Sequence, residues 1–355
     1  MFHCIVSLSC LTCVAAEAYG QAPAITNISV DTNRLSLAWD TPTNAFIVVQ
    51  TPDLSNWSNA SWCAAYSTGA IVDTIGFAIS GQTSLYCRLI AGREVVYIPD
   101  STFRAAVIGT LGASKMFPTN EAYKTEVREI SSLAVRDMGI ASLRGIEEFS
   151  SLNQLLGDRN ALTHLDVSSN ASLSILACYD NSLTNLLLPP SMAYLYCLSN
   201  DLVQLDVSSC TDLVWLACWK NGITALDLSA HNKLDWLECY DNALTNLLLP
   251  TSTTLWHFDC RGNHLTSLDV SGNVNLEAIV CASNGLTQLD VSANLNLTHL
   301  LCQDNGLTGT LDIAANTALL YVDTTSNSLS EIIVWDTNNL PATFLYDGGV
   351  TIREP

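Results

Sequence analysis

A motif of about 21 residues recurs from Leu162 to about Asn327, and it constrains the fold of this chain more than any other feature. One copy, residues 265–287, reads LTSLDVSGNVNLEAIVCASNGLT and consists of two half-turns, LxxLDVSxN and LxxLxCxxN. The spacing of its apolar residues fits neither one helix face nor one long alternating strand. Because so short a unit cannot bury its apolar face alone, the copies are expected to stack on one another as the turns of a solenoid.

An asparagine closes the second half-turn of each copy. Successive members of this series are 19 to 22 residues apart, and six of the eight gaps are 21. Parallel strands stack about 4.8 Å apart, so equivalent residues of successive turns form columns. We expect the leucine columns to form the core and the asparagine amides to satisfy backbone groups in the turn that leaves the strand. The series comprises Asn160, Asn181, Asn200, Asn221, Asn242, Asn263, Asn284, Asn305 and Asn327.

A second column consists of cysteines at an inward position of the strand motif. Metal ligands must converge from different directions, whereas these thiols point the same way, one per turn. Their β-carbons are expected at the strand spacing, which is slightly long for a disulfide. The pattern therefore predicts buried thiols that act as small apolar groups, with no metal site. The column comprises Cys178, Cys197, Cys218, Cys239, Cys260, Cys281 and Cys302.

An aspartate column invites a calcium hypothesis, because stacked like charges repel one another. Two turns interrupt it with Leu-Leu-Leu-Pro, at 186–189 and 247–250, and local Asx and Ser turns in DVSxN explain the residues without an ion. We therefore predict no metal and no cofactor. The column comprises Asp166, Asp206, Asp227, Asp269, Asp290 and Asp312.

The segments IPDSTFRAAV (98–107) and GIASLRGIEEFSSL (139–152), together with the LxCxxNxLTxLDVSxN repeats, resemble the exported bacterial leucine-rich repeat proteins with nested 21-residue repeats. The resemblance covers about residues 94–355. It implies a right-handed leucine-rich repeat solenoid, mostly β with little helix, with a parallel β-sheet on its concave face and a helical cap in front. It also implies binding of other molecules. Around Asn120, Glu121 and Glu126 the chain lacks the calcium-loop segment found in such proteins, so calcium is not implied here.

The remaining sequence suggests five parts. The apolar run 4–16 and the site Ala16-Glu17-Ala18 are typical of a signal peptide (1–18). A signal peptide places the protein in the secreted or cell-envelope compartment. The alternative is a disordered or misassigned start of the chain. Alternating segments in 24–92 predict a small antiparallel, β-sandwich-like domain, in which Cys63 and Cys87 either pair or remain free thiols. The other parts are an N-terminal cap (93–150), the repeats (151–328) and a C-terminal cap (329–355). No membrane span is predicted.

Charge excludes one class of partner. The net charge is -20 and the pI about 4.3, with 14 basic residues against 34 acidic ones. Because phosphate binding needs clustered Lys and Arg, nucleic acid is excluded as a ligand. The acidity indicates either simple solubility outside the cell or a basic partner.

The outward strand positions form the candidate binding site, since they have no role in the core. Aromatic residues gather there in neighbouring turns with acids beside them, and exposed aromatic surface usually marks binding. The alternative is a ladder of rings that only stabilises the fold. The predicted ligand-binding residues are Tyr179, Tyr194, Trp215, Trp219, Trp236, Glu238, Tyr240, His257, Asp259 and Arg261.

The sequence therefore predicts an exported, non-catalytic module that recognises a protein through a concave aromatic and acidic face. A glycan-binding module and a structural surface scaffold are the alternatives. No GxSxG, HExxH, GxGxxG or P-loop motif occurs, and there is no pair of CxxC motifs. His257, Glu238 and Asp259 could face one another, but an open surface excludes water poorly, so an enzyme is the least favoured class. The sequence indicates no oligomeric state.

Overall fold

The computed structural model describes the backbone of six strands between residues 25 and 89, and the segments 95–111 and 121–355, with side chains over 98–111 and 126–355. The chain divides into two compact units, Met1–Glu94 and Val95–Pro355. The predicted signal peptide lies outside the described residues.

The first unit contains antiparallel β-structure. Four strands pair in chain order as one sheet, and two more form a separate pair. The sequence pattern indicated five of the six and missed Ser61–Ala65. The side chains of Cys63 and Cys87 lie outside the described residues, so their pairing stays open. The strands are Ile25–Asp31, Arg34–Trp39, Phe46–Gln50, Ser61–Ala65, Val72–Phe77 and Leu85–Leu89.

The second unit begins with a short cap. Strands Val95–Tyr97 and Glu121–Tyr123 pair antiparallel, and helices span Ser101–Leu111 and Lys124–Val127. Asp100 begins the first helix, because its Oδ1 accepts the backbone N–H groups of Thr102 (2.9 Å) and Phe103 (3.0 Å). Its Oδ2 accepts the N–H groups of Ala141 (3.0 Å) and Ser142 (3.3 Å), which lie between the first two strands of the solenoid. One carboxylate thus fixes the helix to the start of the solenoid.

A leucine-rich repeat solenoid follows, as predicted. Its concave sheet contains eleven parallel strands, and each strand pairs in register with the equivalent residues of the next turn. The strands are Ser132–Ala134, Gln154–Leu156, Ile175–Ala177, Tyr194–Tyr196, Trp215–Ala217, Trp236–Glu238, His257–Asp259, Ala278–Val280, His299–Leu301, Tyr321–Asp323 and Thr343–Leu345.

The other side of the solenoid is less regular. A 3-10 turn, Ile146–Glu148, precedes it, and short parallel strands then occur in three separate groups. The groups are His164–Asp166 with Asn185–Leu187, Ala225–Asp227 with Asn246–Leu248, and Thr308–Asp312 with Ser328–Ile333 and Thr351–Arg353. The last strand of the concave sheet, Thr343–Leu345, and the last strand of the third group, Thr351–Arg353, both lie within residues 329–355. The segment predicted as a C-terminal cap therefore continues the solenoid.

The core is a set of stacked apolar columns. The middle residue of every strand of the concave sheet from Leu133 to Val322 is buried, and all seven cysteines of the predicted column are fully buried with free thiols. Burial raises the pKa of these thiols; that of Cys281 lies at about 12. They are therefore uncharged and pack as small apolar groups.

The asparagine column is a hydrogen-bonded ladder, which confirms its predicted structural role. Nδ2 of Asn200 donates to the carbonyl oxygens of Cys178 (3.0 Å) and Cys197 (3.1 Å), and its Oδ1 accepts the backbone N–H of Leu183 (2.9 Å). Equivalent bonds recur at Asn221, Asn242, Asn263, Asn284 and Asn305. Each amide thus joins adjacent turns of the chain.

The aspartate column makes local turns, as predicted. Oδ1 of Asp227 accepts the hydroxyl (2.7 Å) and the backbone N–H (2.9 Å) of Ser229, and Asp166, Asp206 and Asp269 bond to their serines in the same way. These hydrogen bonds explain the residues without an ion.

A second buried polar column was not apparent from the sequence. Asn294 Nδ2 donates to the carbonyl oxygens of Val270 (3.1 Å) and Asn273 (2.8 Å), and Asn316 repeats the pattern one turn later. Where this column holds His231, the ring Nε2 lies 2.9 Å from the carbonyl oxygen of Val207. Different side chains thus satisfy the same kind of backbone carbonyl.

Over the described residues, no helix has the length and apolar character needed to cross a membrane.

We predict that Asn200→Ala lowers the free energy of unfolding by about 2–3 kcal/mol, because it leaves buried carbonyl and N–H groups without partners. Urea denaturation followed by circular dichroism measures the change. Asn246→Ala is the control, since Asn246 is exposed, and it should change stability by less than about 0.5 kcal/mol. Equal losses in both variants would contradict the structural role of the ladder.

Candidate binding surface on the concave sheet

Three outward columns run along the concave sheet. Alternate residues of a strand face the same side, so Trp236, Glu238 and Tyr240 all project outward from one turn. Because the strands stack in register, Trp215 lies against Trp236 and Trp236 against His257. Residues about 21 apart in sequence thereby become neighbours.

The first column contains a stack of three rings. The Trp215 and Trp236 rings are 4.3 Å apart and inclined by 7°, and the His257 ring lies 3.7 Å from Trp236 on the other side. Trp256 meets Trp236 edge-on at 4.9 Å, and Tyr196 lies 6.2 Å from Trp215. Both faces of Trp236 are therefore occupied by neighbouring rings.

The third column contains a second stack. The Trp219 and Tyr240 rings are 4.9 Å apart and inclined by 10°. The guanidinium of Arg261 lies 4.5 Å from the centroid of Tyr240, and the Lys220 ammonium lies 5.1 Å from that of Trp219. Such cations are attracted to the ring faces. Arg159 holds the same relation to Tyr179 at 5.4 Å.

The rings thus form the ladder that the sequence left as an alternative, and they also remain accessible. Trp215, Trp219, Trp236 and Tyr240 are all partly exposed, and Tyr194 is 38% exposed. Since their faces contact one another, solvent meets the parts of the rings outside these contacts, except the Nε1 atoms of Trp215 and Trp236, which are buried. The structure brings together nine of the ten predicted residues as partly or fully exposed side chains along this surface.

Asp259, the tenth, differs from the expectation that the flanking acids are solvated. It is only 5% exposed, its Oδ1 accepts the backbone N–H of Arg261 (3.1 Å), and its Oδ2 lies 3.4 Å from the Arg261 guanidinium. Burial raises the pKa of this carboxyl to about 6 in spite of those contacts. Asp259 therefore orients Arg261 from below.

Glu238 lies between the two stacks. Burial raises the pKa of its carboxyl, and the charge of Arg261 partly opposes that shift. Its Oε1 is 3.9 Å from Nε2 of His257, beyond hydrogen-bond distance, and burial lowers the pKa of that imidazole. The two groups do not form an acid–base pair in this arrangement.

A cleft of about 430 Å³ lies on the same sheet, beside the predicted residues Tyr179 and Tyr194. Its six other lining residues are not among the predicted ligand-binding residues: Arg136, Gln154, Leu156, Ile175, Ala177 and Tyr196. Tyr196 occupies an outward strand position and could have been found by the rule that selected Trp236 and its neighbours. The cleft itself depends on side-chain volumes in adjacent turns.

Solved structures share this fold. The functional domain of InlJ from Listeria monocytogenes, described as including a cysteine ladder, is 31% identical, with a TM-score of 0.62 over 74% of this chain and 63% of that one. YopM from Yersinia enterocolitica WA-314 is 26% identical, with a TM-score of 0.52 over 64% of this chain and 48% of that one. The chain thus matches less than two thirds of the length of either structure.

No protein-family model matches the chain, and no curated protein does so. The likeness to InlJ and YopM is therefore one of fold, a leucine-rich repeat solenoid with turns of about 21 residues. This chain has its own column of buried cysteines, from Cys178 to Cys302.

The second stack should contribute measurable coupling. In a double-mutant cycle with Trp219→Leu and Tyr240→Leu, we predict a coupling free energy of about 0.5–1.5 kcal/mol, because each substitution removes the same ring contact. Denaturant unfolding of the four proteins measures it. Trp219 paired with the distant Tyr321 is the control and should show none.

The pKa of Asp259 predicts a stability difference that depends on pH. Its folded value of about 6 exceeds the ordinary value of 3.8, so the folded chain holds this proton more tightly, and the charged carboxyl costs stability fully above about pH 6. Asp259→Asn should therefore raise the free energy of unfolding by about 1–3 kcal/mol at pH 7 and leave it unchanged below about pH 4.

Asp206→Asn is the control of opposite sign. The hydroxyl and the backbone N–H of Ser208 lower the pKa of Asp206 below its ordinary value of 3.8. The ionised carboxyl therefore stabilises the fold at a pH above that ordinary value, and this stabilisation is lost as the pH falls through the pKa of the folded state. Unfolding midpoints between about pH 2 and pH 8 measure both variants. A difference for Asp259→Asn that does not change with pH would contradict the assignment.

Proposed function

We propose that this chain is a non-catalytic binding module that recognises a protein through the concave aromatic surface. The observation that carries the proposal is the pair of stacked columns, Trp215–Trp236–His257 and Trp219–Tyr240, on either side of Glu238. Leucine-rich repeat solenoids form extended concave surfaces suited to binding. This surface is built on a hydrogen-bonded sheet, so its side chains are already ordered.

Order matters because immobilising side chains costs binding free energy. Trp236 is held between two rings, and Tyr240 between Trp219 and Arg261, so these groups lose little further freedom on binding. Tyr and Trp supply large contact areas at a small entropic cost and are enriched among the residues that dominate protein interfaces.

Charge supports a basic partner. Glu238 lies between the stacks, and Asp180, Asp241 and Asp304 occupy turns along the same sheet, while the whole chain carries a charge of -20. Like-charged acids attract Lys and Arg of a partner over a distance and set its orientation. We therefore expect binding that weakens as the ionic strength rises.

The ring geometry favours a protein over a glycan. Sugars commonly pack on the flat face of an aromatic ring, whereas the faces of Trp236 and Tyr240 contact other groups here. Ring edges and neighbouring acids suit the mixed polar and apolar surface of a protein. Extracytoplasmic location is part of the proposal and depends on residues 4–16.

We predict that selection of a displayed random peptide library on the full chain enriches peptides that contain Lys or Arg. Trp215→Ala and Trp219→Ala, one from each stack, should weaken their binding at least about tenfold, which is about 1.4 kcal/mol. Leu248→Ala is the matched control, because Leu248 is 45% exposed but lies in the strand Asn246–Leu248 outside the concave sheet. Fluorescence anisotropy at two salt concentrations measures affinity.

Circular dichroism checks that the variants remain folded. Peptides whose affinity is the same for wild type, Trp215→Ala and Trp219→Ala would exclude the concave surface as the site. A glycan array that yields ligands sensitive to both substitutions and insensitive to salt would favour the glycan-binding alternative. No ligand from either source would support the scaffold alternative.

A further inference from the structure

The cleft beside Tyr179 differs from the rest of the concave surface in shape. Leu156, Ala177 and Tyr196 occupy the middle outward column in three successive turns, and Ala177 is buried at 3% exposure. A small side chain between two large ones leaves space above it. That space, of about 430 Å³, is enough for one large side chain of a partner together with its neighbour.

The cleft also differs in charge. Arg136 is the one charged side chain among the described residues that line it. Its Nε lies 2.8 Å from Oδ1 of Asp158, a fully buried carboxylate, while 47% of the Arg136 side chain stays exposed. The ion pair with Asp158 holds the guanidinium at the cleft, and its exposed N–H groups can donate hydrogen bonds to a second acidic group.

Backbone groups do not supply anion binding there. The N–H groups of Val135, Gly157 and Cys178 donate to carbonyl oxygens of the next strand at 2.8, 2.7 and 2.9 Å. A terminal carboxylate is usually captured by free backbone N–H groups, whereas an acidic side chain is commonly bound by arginine. An anionic group in the cleft would therefore pair with Arg136.

We propose that this cleft receives a large apolar side chain of the partner protein, next to an Asp or Glu in the partner's chain that pairs with Arg136. The proposal rests on the proposed function and adds to it. The acids near Glu238 select basic residues, and the cleft selects an apolar–acidic pair about three turns away along the sheet. Arg136 lies two turns beyond Ala177, and at a spacing of about 4.8 Å per turn Ala177 and Glu238 lie about 15 Å apart. An extended segment spans that distance in about four or five residues.

The test uses peptides selected on the full chain from the random library. Enriched peptides should contain Phe, Tyr, Trp, Leu, Ile or Met beside Asp or Glu, and a Lys or Arg about four or five residues away. Ala177→Leu fills the cleft and should weaken their binding at least about tenfold; leucine is already present in this column at Leu156. Ala282→Leu, the same change at a buried alanine of a later turn, two residues after the strand Ala278–Val280, is the matched control and should leave affinity unchanged.

The pairing of the peptide's acidic residue with Arg136 is tested by changing the peptide. Replacing its acidic residue with Gln or Asn should weaken binding about tenfold to the wild type. The same peptide change should have no effect on the double variant Arg136→Gln, Asp158→Asn, in which the stranded buried carboxylate has also been removed. Circular dichroism confirms the fold of each variant.

The outcomes separate the two proposals. If Ala177→Leu binds as tightly as wild type, or the acidic residue proves dispensable, the cleft proposal is wrong, even where Trp219→Ala still abolishes binding and the concave surface stands. If Trp215→Ala, Trp219→Ala and Ala177→Leu all leave the affinity of the peptides unchanged, the proposed function is wrong and the cleft proposal is wrong with it.

Discussion

In-register parallel stacking is the constraint on which the rest of this structure depends. Each strand of the concave sheet supplies only three residues, so no turn is stable alone, and hydrogen bonds between turns hold the sheet together. The asparagine ladder adds hydrogen bonds from side-chain amides of one turn to backbone groups of the next, where the chain leaves the sheet. Buried thiols and leucines fill the interior between these two sets of bonds. Any shift of register would break all of them at once.

The same register creates the candidate site. Rings separated by about 21 residues meet face to face because equivalent positions are only about one strand spacing apart. Stacking gives the ladder a structural role, and it also orders the ring edges that remain in contact with solvent. Stabilisation and recognition are therefore not exclusive properties of these residues. The stacked ring faces stabilise the fold, and the exposed parts of the rings are available for recognition.

Buried carboxylates organise the charges around the rings. Asp259 lies beneath Arg261, which in turn covers Tyr240, and Asp158 positions Arg136 at the edge of the cleft. In both cases a charged group with little exposure holds an exposed guanidinium. A carboxylate without its arginine would be costly at such a position, so each pair acts as a unit. The concave surface thus presents fixed cations at two places within a largely acidic face.

The sequence by itself determined the period, the leucine, cysteine, asparagine and aspartate columns, and the side of the sheet on which Trp215, Trp236 and Tyr240 lie, because a repeat of nearly constant length leaves one way to stack its turns. It also indicated that the serine turns explain Asp227 without an ion. Only the tertiary structure decided that Trp236 loses both faces to neighbours, that Asp259 is buried, and that Ala177 opens a cleft beside Arg136. Those features depend on the volumes and rotamers of side chains in adjacent turns. The repeat pattern specifies which residues meet across the sheet, and it leaves open how they share the space between them.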